Sequence, residues 1–308
     1  MSIALWTIQI LLTPLVSPLC VGVIRKLKAT WQNRQGASVF QPYRDLWKLM
    51  HKDEVMSRDA SWIFRVAPVM VFAVTMVVGA SIPLFASFLE NSLTGDLLMV
   101  VYALAIGTFF LALAGMDTGS AFGGFGSSRE MTVSALAEGG LIFSLLTVAL
   151  ISGTTNLFTM VNVATIPSGQ HVLSALLALC GFVIVLLAET SRFPFDNPAT
   201  HLELTMIHEA MILEYSGKKL ALMEWASANK LFLFMALSVN LFFPIGLAQQ
   251  ATVGAIGLGM IIFLIKVAVF CFVIAFIESS MAKYRFFRLP DLLFIAFILN
   301  VVAISLIR

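Results

Sequence analysis

Apolar residues in this chain run rather than alternate. Eight runs, at about 2–24, 64–89, 96–116, 131–151, 172–191, 228–248, 253–277 and 290–307, are each long enough to cross a bilayer as helix. Polar residues collect between them, and no stretch is left over for a soluble domain. The pattern predicts an all-α polytopic membrane protein with about eight transmembrane helices. The whole chain, 1–308, reads as a single membrane domain without a strong internal repeat.

The connections between the runs are unequal. The first holds Arg25, Lys26, Lys28, Arg34, Arg44, Lys48, Lys52 and Arg58. The third holds Arg129, the fifth Arg192, Lys218 and Lys219, and the seventh Lys283, Arg285 and Arg288. The alternate connections, near 90–95, 152–171 and 249–252, hold no Lys or Arg. Cytoplasmic loops concentrate these residues, so the long polar loops are expected in the cytoplasm and both termini outside.

Composition agrees with the pattern. The chain is 59% hydrophobic and 12% charged, against about 25% charged in soluble domains. Its mean hydropathy is +0.95. The N-terminal run lacks a basic leader and a small-residue cleavage site, and reads as a retained helix. Cys20, Cys180 and Cys271 lie far apart in apolar runs. Zinc and iron–sulfur sites need clustered thiolates, so the cysteines read as packing residues.

Ionisable groups inside the runs change the picture. Charge at membrane depth is costly and tends to mark an ion or proton path. Glu138, Glu189, Lys266 and Glu278 stand in or at the ends of apolar runs, and Asp117 closes the third. Glu189 and Glu278 can equally reach the cytoplasmic interface, and Lys266 can equally belong to a structural ion pair. Glu138 and Lys266 together favour a hydrated proton path.

Two loops carry further chemistry. In "WQNRQGASVFQPYRDLWKLMHKDEV", Trp31, Phe40, Tyr43, Leu46, Trp47 and Leu49 recur near helical spacing, as in a helix lying at the membrane surface or docking a partner. In "AETSRFPFDNPATHLELTMIHEAMILEYSG", Asn197 can cap a helix that starts at Pro198 and runs to about Ile212. That helix would put His201 and His208 on one face, with Glu203 and Glu209 elsewhere. The zincin pattern needs His at i and i+4, which "HLELTMIH" lacks, so no metal site is expected. "GGFGSSRE" has glycines but no phosphate-loop Lys. Proton relay or partner contact remains, and no catalytic residue is expected in this chain.

Three stretches now resemble a known family. "AETSRFPFDNPA", "LEL" and "LEYSG" are similar to the subunit 1 (H) family of respiratory complex I and its relatives in membrane-bound group 4 nickel–iron hydrogenases. "QNRQGASVFQPYRDLWKL", "GMDTGSAFGGFGSSRE" and "ESSMAKYR" resemble the hydrogenase 4 and formate hydrogenlyase branch. Ala199 and His201 depart from it, standing where the family has Glu, and Ala37 replaces a Pro.

The resemblance implies a non-catalytic membrane subunit that docks a redox arm and couples electron transfer to translocation of protons or Na+. It implies antiporter-like membrane subunits and hydrogenase large and small iron–sulfur subunits as partners, with the lipid bilayer and without nucleic acid. It implies no cofactor on this chain, the nickel–iron centre and iron–sulfur clusters lying in other subunits. It implies a bacterial or archaeal cytoplasmic membrane. Carried over by position, Glu189, Arg192, Asp196, Glu203 and Glu214 match the loop motif, and Glu138 and Lys266 match intramembrane positions. With Glu278 these acids and Lys266 form the expected proton path. Arg34, Tyr43, Arg44, Asp45, Asp117, Arg129, Glu130, Arg192, His201, His208 and Glu209 are expected in loops or at the redox-arm docking face. A quinone-reducing complex I-type subunit and a purely structural anchor are the alternatives.

Overall fold

The computed structural model describes residues 2–57, 59–88, 95–163, 171–197 and 206–307. Among these residues are eleven α-helices: α1 Ser2–Trp31, α2 Gln41–Met50, α3 Trp62–Ser81, α4 Leu97–Asp117, α5 Ala121–Ser152, α6 Leu157–Val163, α7 Val172–Glu189, α8 His208–Ile212, α9 Gly217–Leu241, α10 Val253–Ser280 and α11 Leu289–Ser305. Among the described residues there is no strand, only isolated bridges such as Ala86–Ala248. Eight helices are long and apolar enough to span a membrane; α2, α6 and α8 are not. The all-helical, eight-span architecture expected from the apolar runs is the one observed.

The boundaries differ where polar helix turns adjoin apolar ones. α5 starts at Ala121 rather than near 131, so Arg129 and Glu130 belong to a helix and not to a loop. α9 starts at Gly217 rather than near 228, because "GKKLALMEWAS" is helical but too polar for a hydropathy window. α9 also stops at Leu241, where apolarity continues: Pro244 cannot extend the hydrogen-bond ladder, and Gly246 turns at φ +80°. The predicted helix from Pro198 to Ile212 is corrected. Its first part lies outside the described residues, Met206 and Ile207 are not helical, and only His208–Ile212 forms the short α8.

Internal prolines shape the bundle and its cross-links. Pro18 in α1 has no N–H for the Pro14 carbonyl one turn earlier. Trp225 of α9 takes that carbonyl, its Nε1 donating at 2.9 Å. Pro68 in α3 likewise frees the Phe64 carbonyl. Tyr215 donates its hydroxyl there at 2.9 Å, with its ring stacked on Phe64 at 3.9 Å between centroids. Tyr43 in α2 reaches the Leu15 carbonyl in the same stretch of α1. Each of these carbonyls is thus held by an aromatic donor from another element.

The "YSG" triplet is built of such ties. After Tyr215, Ser216 both accepts from the Val55 N–H at 2.7 Å and donates to its carbonyl at 2.8 Å. Gly217 opens α9 at φ +54°, where a Cβ would lie 2.7 Å from the Asp53 carbonyl oxygen. Burial and the nearby Asp117 push the Tyr215 pKa up, so the hydroxyl stays a donor throughout the accessible pH range. Tyr215→Phe keeps the ring but orphans the buried Phe64 carbonyl. It is expected to lower stability by about 1–3 kcal/mol, read as a lower unfolding midpoint in detergent with secondary structure retained.

Candidate functional site

The site begins where α7 ends. Thr190 closes the helix and Ser191 takes a left-handed conformation, φ +49°, a place usually given to glycine. The Arg192 N–H then bonds the Leu187 carbonyl at 2.8 Å and the Ser191 N–H bonds Ala188 at 3.1 Å, the two bonds of a Schellman turn. The chain therefore folds back into the bundle instead of leaving it. Thr190, Ser191, Arg192 and Asp196 are all at most 9% exposed. A polar loop that the hydropathy pattern puts at the surface is in fact interior.

Ion pairs make that burial tolerable. Glu278, its side chain fully buried, meets Lys28 of α1 at 2.6 Å and Arg192 at 3.2 Å. Asp196 meets Lys283 at 2.5 Å. The same carboxylate accepts from the Ile207 and His208 N–H groups at 3.1 and 3.2 Å, so it caps α8 from across the loop. This capture starts the helix at His208 and explains the break in the predicted longer one. Glu189 meets Lys230 of α9 at 2.8 Å, and Ser134 of α5 donates to it at 3.3 Å. Glu189 and Glu278 are held inside rather than reaching for the interface.

Three cavities that share lining residues follow these groups. The largest, about 410 Å³, is walled by α1, α2, α9, α10 and the folded-back loop. Arg25, Lys28, Asp45, Glu209 and Glu224 line it together with Arg192, Asp196, His208 and Glu278. Thr190, Ser191, His208 and Ser227 also line the next, about 40 Å³, which contains Glu130, Glu189 and Lys230. Glu189 and Leu104 continue into a third of about 10 Å³, lined by Glu138 and Ser134. An ordered water needs about 10–15 Å³ on this measure, so the second cavity has room for water and the third is at the limit.

The order of groups is therefore an ionic vestibule, a neck at Ser191 and His208, then Glu130, Lys230 and Glu189, then Glu138. Lys230 was not singled out from the sequence. A span expected only from 228 puts it at a helix start. The observed start at Gly217 puts it near the helix middle, and Thr108 Oγ1 at 3.1 Å is its second partner. The readable signal is that Lys218 to Asn229 continue a helical pattern without a breaker. Glu130, expected at a docking face, is buried at 4% and faces the inner cavity.

The other expected residues scatter. Lys266 is not near Glu138; its Nζ bonds Asn240 Oδ1 at 2.7 Å and the Phe243 and Val239 carbonyls at 3.0 and 3.3 Å. Asp117 caps α3, accepting from the Ser61 and Phe64 N–H groups at 2.7 and 3.3 Å. Arg129 donates to the Met206 carbonyl at 3.1 Å. Gln41 donates to Asp45 at 2.8 Å. Arg34, Arg44 and Glu214 are exposed, as are Phe40 and Trp47, while Leu46 and Pro42 anchor α2 inward. His201 and Glu203 lie outside the described residues. Among the described residues no group of His, Cys, Asp and Glu is arranged to hold a metal.

Known proteins share this architecture. The NADH dehydrogenase family profile matches residues 3–308. Hydrogenase-4 component C of Escherichia coli (strain K12) is 34% identical over 96% of this chain and 92% of its own. Formate hydrogenlyase subunit 4 of the same strain is 33% identical over 92% of each. NADH-quinone oxidoreductase subunit 8 of Rhodothermus marinus is 27% identical over 90% of this chain and 87% of its own. A chain in the structure of the membrane-bound sulfane sulfur reductase, an archaeal respiratory membrane complex, superposes with a TM-score of 0.84. It covers 100% of this chain and 99% of that one at 19% identity.

The neck generates a pH prediction. Burial pushes the His208 pKa down to about 4, Lys230 and Arg192 adding to the effect and Asp196 opposing it. The folded value lies below the unfolded one, near 6.5, so the unfolded state binds the extra proton. The stability from packing the neutral ring is then full above pH 6.5 and is lost as pH falls toward 4. Wild-type protein should lose thermal stability across this window, and His208→Gln should flatten the loss; an unchanged slope would refute the assignment.

Proposed function

The chain belongs to the NADH dehydrogenase family, in its subunit 1 (H) group, and from that premise we propose a proton-conducting membrane subunit of a hydrogenase-type respiratory complex. The observation that supports this best is that the buried carboxylates Glu130 and Glu189 line one cavity with Lys230, and Glu189 lines a second space with Glu138. Buried charge of this kind is costly and tends to mark an ion path. The chain itself supplies no metal or redox centre in this reading. Its partners are hydrogenase-type large and small iron–sulfur subunits, carrying the nickel–iron centre and clusters, and antiporter-like membrane subunits. The relatives named hydrogenase-4 component C and formate hydrogenlyase subunit 4 support that assignment.

The loops bearing Lys and Arg face the cytoplasm in this reading, with both termini outside. The vestibule then opens toward the docked redox arm. A change of charge there reaches the neck through Arg192 and His208, and Glu189 exchanges its proton with Glu130 or Glu138. A quinone site is the second reading, since 410 Å³ falls within the size of small-molecule pockets. Such pockets are predominantly apolar. This one has eight charged side chains among apolar ones such as Val21, Leu46 and Ile212, and those charges favour water and protons.

Glu189→Gln and Glu138→Gln are expected to leave the complex assembled while lowering proton uptake by vesicles about tenfold, electron transfer being measured in parallel. Glu189→Gln combined with Lys230→Met removes both charges and guards against a fold loss from one unpaired ion. Normal proton gradients from assembled variants would remove the proton-path reading and leave a structural anchor.

A further inference from the structure

The first loop carries α2 back along α1. Gly22 lets the loop pass, since a Cβ there would lie 1.9 Å from the Val39 carbonyl oxygen. Lys26 donates to the Gly36 carbonyl at 3.2 Å, and Tyr43 donates to the Leu15 carbonyl. Pro42, Asp45 and Leu46 then share the vestibule wall with Pro18, Val21 and Arg25. α2 therefore lies beside the stretch of α1 from Leu15 to Arg25. Leu15 is about 15 Å from Arg25 along that helix, on the apolar side of the point where the cations of the first loop begin.

α2 turns one face inward and shows another that has two edges. Pro42 and Leu46 are buried, and Asp45 faces the vestibule. Phe40, Arg44, Trp47, Lys48 and the capping His51 are exposed. At 3.6 residues per turn these five fall within about 100° of arc. Half-buried Tyr43 and Met50 flank Phe40 and Trp47, which makes one edge apolar. Arg44 and Lys48 form the other. The apolar edge is the one tied to α1, because Tyr43 makes that bond. Leu15 is itself 60% exposed and continues an open apolar stripe of α1 with Leu11 and Ile8.

This arrangement identifies what covers the face. Its apolar edge is continuous with the open side of a spanning helix, at a depth that acyl chains fill and a soluble subunit does not reach. Trp47 is 70% exposed, and aromatic rings of this kind favour the membrane–water boundary. The cations stand on the edge away from the stripe, where lipid phosphates lie. No acid shares the face: Asp53 and Glu54 come after the helix, and Glu54 meets Lys219 at 3.5 Å.

We propose that the outer face of α2 binds an anionic phospholipid of the bilayer, its phosphate held by Arg44 and Lys48 and an acyl chain lying over Phe40, Tyr43 and the α1 stripe at Leu15. Tyr43 and Arg44 are thereby assigned to the lipid and not to a redox-arm contact. Because Pro42, Asp45 and Leu46 line the cavity from the other side of the same helix, the lipid backs the outer wall of the vestibule. The proposal is independent of the proton-conducting reading, since it uses neither Glu189, Lys230 nor Glu138.

The test uses the complete membrane complex in nanodiscs of phosphatidylglycerol and phosphatidylcholine. A cryo-EM map should show headgroup density within about 4 Å of the Arg44 or Lys48 side chain, with chain density over Phe40 and Leu15. Arg44→Gln combined with Lys48→Gln alters two exposed side chains, so the fold should persist and the headgroup density should vanish. Native mass spectrometry of delipidated complex should show phosphatidylglycerol bound more tightly than phosphatidylcholine, with the double variant lowering its affinity about tenfold, the effect of two cations at an anionic surface. Redox-arm protein over the face overturns the proposal. So does a bare face, or headgroup density that is unchanged in the double variant or in discs of phosphatidylcholine alone.

Discussion

Charge neutralisation in a low-dielectric interior is the constraint on which this structure turns. A carboxylate taken out of water costs several kcal/mol even after relaxation, and a cation close by offsets that cost. Three buried carboxylates have such cations: Glu189 with Lys230, Glu278 with Lys28 and Arg192, and Asp196 with Lys283. The pairs link α7 to α9, α1 to α10, and the loop to the segment after α10. These pairs hold the loop after α7 inside together with Phe195, which is 1% exposed in the apolar core. The electrostatics thus shares structural work with apolar packing there. Glu130 and Glu138, outside these pairs, both border the cavities beside Glu189.

The helices themselves are prepared for this. Prolines in α1 and α3 free carbonyls that would otherwise be spent inside the helix. Trp225 and Tyr215, both near the start of α9, claim them. α9 is therefore fixed against α1 and α3 by directed bonds. Position along α9 matters most for Lys230, since its ion pair and its bond to Thr108 hold the ammonium between α4 and α7. A helix fixed only by apolar contacts could slide; these donors give it a register.

Much of the fold was legible in the sequence and the deepest part of the site was not. Apolar runs identify spanning helices because the bilayer demands continuous apolarity, and all eight emerged. They fail where a helix is polar for its first turns, as α5 and α9 are, so Glu130 and Lys230 were misplaced or missed. Glu138 and Glu189 stood out as charges in apolar surroundings, and the structure does bring them to one cavity. Lys266 stood out for the same reason and lies elsewhere, since hydropathy reports depth in the membrane and not which helices meet. Asp196 was read as part of a proton path, yet its oxygens are occupied by Lys283 and the start of α8. Sequence proximity cannot reveal that a carboxylate is spent on capping.

In the proposed function, the contrast between occupied and available carboxylates separates scaffold from conductor. Asp196 and Glu278 each hold several donors at once, so a proton reaching either would break bonds that keep the loop inside. Glu189 holds a single cation and borders two cavities. Protonating it releases Lys230 without unseating the loop, and Lys230 still has Thr108 and a neighbouring carboxylate, Glu130, in the same cavity. In the proposed function, a site that changes its proton count keeps its partners interchangeable, and among these groups Glu189 with Lys230 has that property. His208 fits the same logic: packed in its neutral form, it adds no fixed positive charge where the vestibule meets the inner cavity. The proposed proton route from the vestibule inward then depends on which carboxylate Lys230 faces, and the ion pairs of Asp196 and Glu278 keep that choice from loosening the fold.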